Sequence, residues 1–251
     1  MLIKIALRYF IEFAYNGKNY HGWQSQPNAS SVQETLSKAV SVILRSEIEL
    51  MGAGRTDTGV HAKQMFAHFD TEENLETDFL VAKLNSYLPK DIVVYRIIPV
   101  SEEAHARFDA VKRTYEYHIH IYKSAFENES SWYVFQKLDL EKMNKAAKML
   151  FDFEDFQCFS KVNTDVKTYN CKIMEANWQQ KDEKLIFTIA ADRFLRNMVR
   201  AIVGTLVEIG SGKKALEDFK NIIESKDRTQ AGTSVPAHGL YLTKVEYPYI
   251  S

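Results

Sequence analysis

Cysteine is scarce in this chain. Cys158 and Cys171 are its only two in 251 residues. That is too few for a disulfide framework or a cysteine metal set, and a reducing cytoplasm is the matching compartment. Long apolar runs are missing as well. No stretch reaches the roughly 18 apolar residues of a membrane span. The N-terminal Met1 to Tyr15 carries Lys4, Arg8 and Glu12 among its apolar residues, which reads as a strand and not as a secretory leader. Charge of one sign does not dominate either: 32 basic residues stand against 33 acidic ones, for a net −1. This excludes a general electrostatic pull toward nucleic acid. An RNA partner would need basic residues gathered on one surface. Two clusters qualify, Arg107 with Lys112 and Arg113, and Arg193, Arg196 and Arg200 with Lys213 and Lys214. Taken singly, each cluster reads as a solvated face. No Gly-Lys-Ser/Thr ending of a P-loop is present, and no Gly-x-Ser-x-Gly elbow.

What is present is an ordinary soluble composition, 45% apolar and 26% charged, with clear periodicity. Ile5 to Tyr15 alternates, with Ile5, Leu7, Tyr9, Ile11 and Phe13 on one face, and predicts a strand. Ser31 stands three residues before Glu34, a capping-box spacing. Val32, Leu36, Ala39, Val40, Ile43 and Leu44 then follow at helical intervals. Glu47 to Met51 predicts a short strand and Lys63 to Asp70 another. Thr77 to Leu88 predicts a helix ending before Pro89, and the β-branched Ile92 to Val100 a strand. The order is β-α-β-β-α-β, the split βαβ unit.

The second half repeats that order without repeating the sequence. Arg113 to Tyr122 alternates, with Tyr115, Tyr117, Ile119 and Ile121 on one face. Leu140 to Phe151 predicts a helix, and Tyr169 to Gln180 with Lys184 to Ala191 a hairpin. Leu195 to Ile209 predicts a helix that Gly210 can cap. Ala215 to Ser225 predicts another helix and Leu240 to Tyr247 a last strand. The expected fold is therefore α+β. Two split-βαβ domains, 1–104 and 105–251, carry mostly antiparallel sheets around a central inter-domain cleft, where sites tend to lie. The same topology occurs in single-strand RNA binders of the RRM type.

Three segments carry chemistry. Gly52, Gly54 and Gly59 fall within eight residues around Asp57, and such a loop can hold a carboxylate rigidly at a cleft wall. By itself an aspartate in a glycine-rich turn is more often a turn-former. In Leu195 to Ile209, Arg196 and Arg200 fall on one border of the apolar stripe. A border arginine is either a snorkelling side chain or the partner of a planar anion, here a phosphate or Asp57. Tyr115, at a strand start, is either a core residue or a platform for an extruded base. His118 and His120 share the other strand face and are too few for a metal site.

Six blocks now stand in one order: Tyr20-His21-Gly22-Trp23-Gln24, Gly54 through Ala62, Arg107-Phe108-Asp109-Ala110, Arg113-Thr114-Tyr115-Glu116-Tyr117, Phe194 through Arg200, and Gly239-Leu240-Tyr241-Leu242. Together they resemble the tRNA pseudouridine synthase A family over about residues 8 to 247. The resemblance implies two α/β domains, a homodimer, no cofactor and no metal, a cytoplasmic enzyme, and tRNA as partner, with uridines of the anticodon stem-loop as substrate. It implies that Asp57 is the catalytic nucleophile, that Tyr115 packs on the target base and that Arg200 pairs with Asp57. Arg55 would displace the base and fill its place. Val235 before Pro236 departs from the usual small residue, and the net charge is less basic than the family suggests.

The chemistry fits those residue types. Pseudouridine formation breaks the C1′–N1 bond, turns the uracil and rejoins it through C5; nothing is oxidised, so no redox group is needed. A carboxylate can attack C1′, attack C6 or remove a sugar proton, and the sequence leaves the three open. Other classes stay open beside it: a non-catalytic RNA-binding module, which would not need an Asp-Arg pair in a closed pocket, a synthase with a different RNA target, and a structural protein, which would lack a polar cleft. A glycosidase would need a second carboxylate about 5–10 Å away, which the Asp57 loop does not offer.

Overall fold

The structure is a computed structural model that describes residues 6–161 and 166–250. Two compact units emerge, Met1–Val111 with Leu242–Ser251, and Lys112–Tyr241. This grouping puts 105–111 and the C-terminal tail with the first unit, where the sequence division counts them with the second.

In the first unit β1 (Leu7–Tyr15) lies between β3 (His61–Thr71) and β4 (Ile92–Val100), antiparallel to both. The expected strand began at Ile5, which lies outside the described residues. Both faces of β1 are buried from Tyr9 on, not one. Tyr9 and Phe13 pack on Phe69 and Trp23. On the other face Phe10 meets Phe66 and the tail residues Tyr247 and Tyr249. Glu12, an acid buried in this core, is compensated by an ion pair with Arg96 and by a 2.6 Å hydrogen bond from Gln64 Nε2; a buried carboxylate without partners would be costly.

Helix α1 (Val32–Leu44) starts where Ser31 caps it, the hydroxyl accepting from Glu34 N at 3.2 Å. Strand β2 is only Met51–Gly52, not Glu47 to Met51. The segment before it spends its hydrogen bonds on α1 instead. Ile48 N donates to Ser41 Oγ, Leu50 N to Ser37 Oγ, and Leu50 O accepts from Gln33 Nε2. Helix α2 (Thr77–Tyr87) stops before Pro89 and is tied to β4 by Asn85, whose side chain bonds both N and O of Val94 at 2.8 Å. The strand order β4-β1-β3-β2 is that of a split βαβ unit, and the C-terminal strand β9 (Leu240–Glu246) also lies beside β3.

The second unit contains β5 (Lys112–His120), β6 (Trp132–Tyr133), α3 (Leu140–Met149), β7 (Ile173–Lys181), β8 (Lys184–Ala191), α4 (Met198–Gly210) and α5 (Leu216–Ser225). Its strand order β5-β8-β7 repeats β1-β3-β2, again antiparallel. The short β6, parallel to β5, was not expected from the sequence. Helix α4 begins at Met198, three residues later than its apolar stripe suggests. Asn197 takes φ 67°, which ends a helix going backward, and asparagine tolerates that conformation better than most residues. Arg196 is therefore in the turn before α4 and not on its border. Gly210 is the last helical residue, not the cap. A Cβ there would lie 2.5 Å from Met143 Sδ of α3, and Gly212 takes the positive φ instead. The fold is α+β with mostly antiparallel strands, as the periodicity predicts. Among the described residues no helix is long and apolar enough to cross a membrane.

Candidate active site

The Asp57 loop runs from the end of β2 to the start of β3 and is braced by a second loop from the same unit. Residues 17–24, which contain the Tyr20-His21-Gly22-Trp23-Gln24 block, wrap against it at backbone distance. Gly22 has φ +90°, and a Cβ on it would sit 2.2 Å from Thr56 O; one on Gly17 would sit 1.9 Å from Val60 O. Glycine is required at both, at Gly22 for conformation as well as space. Hydrogen bonds complete the brace. Gly59 N donates to Tyr20 O at 3.3 Å, Gly17 N to His61 Nδ1 at 3.1 Å, and the Tyr15 and Thr56 hydroxyls are 2.9 Å apart. Within the loop Val60 N donates to Asp57 O at 3.1 Å, closing a tight turn with Gly59 at φ 78°.

The brace is itself anchored. Trp23 is buried, stacked on Phe13, with Gly52 too close to its ring to bear a side chain. The Tyr20 hydroxyl donates to Asp91 at 2.7 Å, and burial together with that carboxylate holds its pKa well above the usual phenol value. Asp57 is half-buried and Arg55 is exposed on the same loop. The loop thus fixes the backbone at Asp57 and leaves a cation at the surface two residues away.

The other candidate residues belong to the second unit. Tyr115 is half-buried near the start of β5, opposite Ile189 of β8, with the Phe194 ring edge-on at 5.2 Å. Its phenol ring is oriented by Phe194, a residue whose motif is visible in the sequence but whose contact with Tyr115 is not. Tyr117, two residues on, is fully buried, and its hydroxyl donates to Pro236 O at 2.8 Å; burial raises its pKa far above the ordinary value. The two tyrosines of one motif are therefore a half-exposed ring and a core strut. Gly239 lets the chain pass against Tyr117, since a Cβ would lie 2.8 Å from the ring.

Arg200 is half-buried in the first turn of α4, and its Nε donates to Val235 O at 2.7 Å. Val235 N returns a 3.3 Å bond to Arg200 O. The segment 231–236 is held on α4 by further contacts. Gly232 N donates to Thr205 Oγ1, Asn197 Nδ2 to Ser234 Oγ, and Arg228 to Gly232 O and Ser234 Oγ. Gly204 allows the approach, with room for no Cβ against Thr233 O. Val235, which stands out in the sequence as a departure from the family pattern, acts on Arg200 through its backbone, so the identity of its side chain leaves that bond intact. A fixed Nε leaves the guanidinium presented in one orientation, as bidentate recognition of an anion requires.

Cys158 and Cys171 are unbridged and buried, and burial pushes both thiols up to about 12. They are packing residues and not nucleophiles.

Comparison with known proteins identifies the family. The profile of a family described as tRNA pseudouridine synthase matches residues 12–109 and 146–248. The chain is 55% identical over 242 residues to tRNA pseudouridine synthase A of Parabacteroides distasonis, covering 96% of each. It is 56% identical over 243 residues to that of Bacteroides fragilis, again with 96% of each covered. With tRNA pseudouridine synthase A of Acetivibrio thermocellus it shares 40% over 235 residues, 93% of this chain and 96% of the relative. A braced carboxylate loop, a half-exposed tyrosine and an oriented arginine thus sit in a chain that belongs to the tRNA pseudouridine synthase family.

Proposed function

We propose that this enzyme isomerises uridine to pseudouridine in the anticodon stem-loop of tRNA, with Asp57 as the catalytic carboxylate, acting as nucleophile or base. The observation that carries the reading is the loop itself. Two glycines without room for a Cβ, Gly17 and Gly22, and a hydroxyl pair from Tyr15 and Thr56 hold a half-buried aspartate in place. Such bracing is more than a simple turn needs, and it suits a group that must meet a sugar or base carbon at near-attack distance.

Tyr115 is the platform for the target base. Taking a base out of its stack costs a few kcal/mol, and stacking on an aromatic ring returns about 1–3 kcal/mol. Arg55, exposed beside Asp57, takes the space the base leaves, and Arg200 is the oriented cation of the substrate site. The chemistry needs no metal and no redox cofactor. The enzyme works in the cytoplasm as a homodimer, because a 29.0 kDa subunit of net charge −1 offers little surface to an L-shaped tRNA. Light scattering at micromolar concentration checks this and is expected to give twice the subunit mass.

The deciding experiment follows tritium released from uracil C5 of a labelled tRNA transcript. Release is expected from the wild-type enzyme and none from Asp57→Asn, with label at anticodon-arm uridines lost first. An Asp57→Asn enzyme that releases tritium at the wild-type rate would remove Asp57 from the mechanism.

A further inference from the structure

The Arg107-Phe108-Asp109-Ala110 block lies outside the site built around Asp57, yet it forms a tightly tied turn of the first unit. Phe108 is 75% exposed. Its backbone is far from loose. His105 Nδ1 accepts from both Arg107 N and Phe108 N, at 3.0 and 3.3 Å. The Asp109 carboxylate accepts from His105 N at 2.8 Å and from the Tyr249 hydroxyl at 2.6 Å. Asp109 N closes the turn on His105 O at 3.1 Å, and Ala106 N donates to His68 Nδ1 at 3.2 Å. Burial lowers the pKa of both histidines, which keeps the rings neutral and their nitrogens available as acceptors. The His105 ring lies 4.3 Å from that of Phe108, and the Arg107 guanidinium 5.7 Å from its centroid.

Single exposed apolar residues are common and need no explanation. Here, however, side chains from three separated stretches of the chain, His68, His105 with Asp109, and Tyr249, fix a turn whose tip is an uncovered aromatic ring with a cation beside it. We propose that Phe108 is a stacking platform for an unpaired base of the tRNA, with Arg107 supplying the adjoining positive charge. An aromatic face paired with arginine is the combination that single-stranded nucleic acid selects, because every base offers a π-face and a nearby phosphate. A protein partner fits less well: the Phe108 ring has an imidazole and a guanidinium against it, whereas the core of a protein interface is depleted of charge.

The proposal rests on tRNA being the substrate, and the test separates the two. Phe108→Tyr, Phe108→Leu and Phe108→Ala would be compared by filter binding to tRNA and by tritium release. Loss of one stacking contact predicts about tenfold weaker binding for Leu and Ala, with Tyr within about twofold of wild type. The same factor is expected in KM with kcat nearly unchanged, and with an unchanged melting temperature because the ring is exposed. Leucine binding as well as phenylalanine would overturn the proposal. So would unchanged tRNA affinity in all three variants, including the case where Phe108→Ala alters the mass by light scattering and so places the ring at a protein contact. Binding needs no turnover. A wild-type enzyme that released no tritium would strike the isomerase reading, while the Phe108 series still decided this one.

Discussion

Gly22→Ala is the sharpest test of how the Asp57 loop is held. The substitution adds one methyl group more than thirty residues away in sequence from Asp57. Gly22 has φ +90°, and the new Cβ would meet Thr56 O at 2.2 Å, whereas ordinary contact begins near 3.4 Å. Thr56 must therefore retreat by about 1 Å, and Asp57 is the next residue. A non-glycine side chain at left-handed φ costs about 1–2 kcal/mol, and forcing a methyl into packed structure about 1–3 kcal/mol more. The loss is about 2–5 kcal/mol, which in a chain of this length lowers the melting temperature by roughly 10 °C. A shift of about 1 Å at the reacting group reduces rate by about a hundredfold. Differential scanning fluorimetry reads the first effect and tritium release the second. Gly54→Ala is the internal control for stability: it lies in the same loop, takes no positive φ, and its Cβ meets nothing within 4 Å. It should stay within about 0.5 kcal/mol of wild type. A Gly22→Ala enzyme with wild-type melting and turnover, or a Gly54→Ala enzyme as unstable as Gly22→Ala, would refute the bracing argument.

Asp57→Asn should abolish isomerisation while tRNA affinity stays within about tenfold, or about 1.4 kcal/mol, as read by filter binding. Tyr115→Phe should keep most activity and Tyr115→Leu lose more; equal activity in all three would return Tyr115 to a purely structural part beside Phe194. Arg200→Ala removes the Nε bond to Val235 O and should cost about 1–3 kcal/mol of stability together with turnover, measured by urea unfolding and tritium release. His68 gives a pH prediction. Burial, with Arg8 nearby, depresses its pKa to about 4, against about 6.5 in an unfolded chain. The folded state then binds fewer protons, so this contribution to stability is complete above about pH 6.5 and is lost as pH falls toward 4. Melting temperatures at pH 7 and pH 5 should differ more for wild type than for His68→Gln.

Where a local rule decides an element, the sequence and the structure coincide. Ser31 starts α1, the β-branched run makes β4 from Ile92 to Val100, and Lys184 to Ala191 forms β8. The repeated β-α-β-β-α-β order follows from the same periodicities. Where a distant side chain competes, the local rule loses. Glu47 to Leu50 has strand composition, but Ser37 and Ser41 take its amides. Leu195 has helix periodicity, but Asn197, bonded to Ser234, turns the chain first.

The same division holds for the site. That Asp57 sits in a glycine-rich loop, and that Arg55 accompanies it, is written in eleven consecutive residues. What holds the loop is not, because the Gly22–Thr56 and Gly17–Val60 approaches join residues about 34 to 43 positions apart. Arg200 is likewise legible as a helix arginine, while its orientation comes from a carbonyl 35 residues away. Periodicity and capping act within a few residues, so the sequence alone determines which segments become strands and helices and which side chains are available for chemistry. Close backbone approach and hydrogen bonds between distant segments exist only once the chain has folded, and those decide whether an available side chain is also a held one.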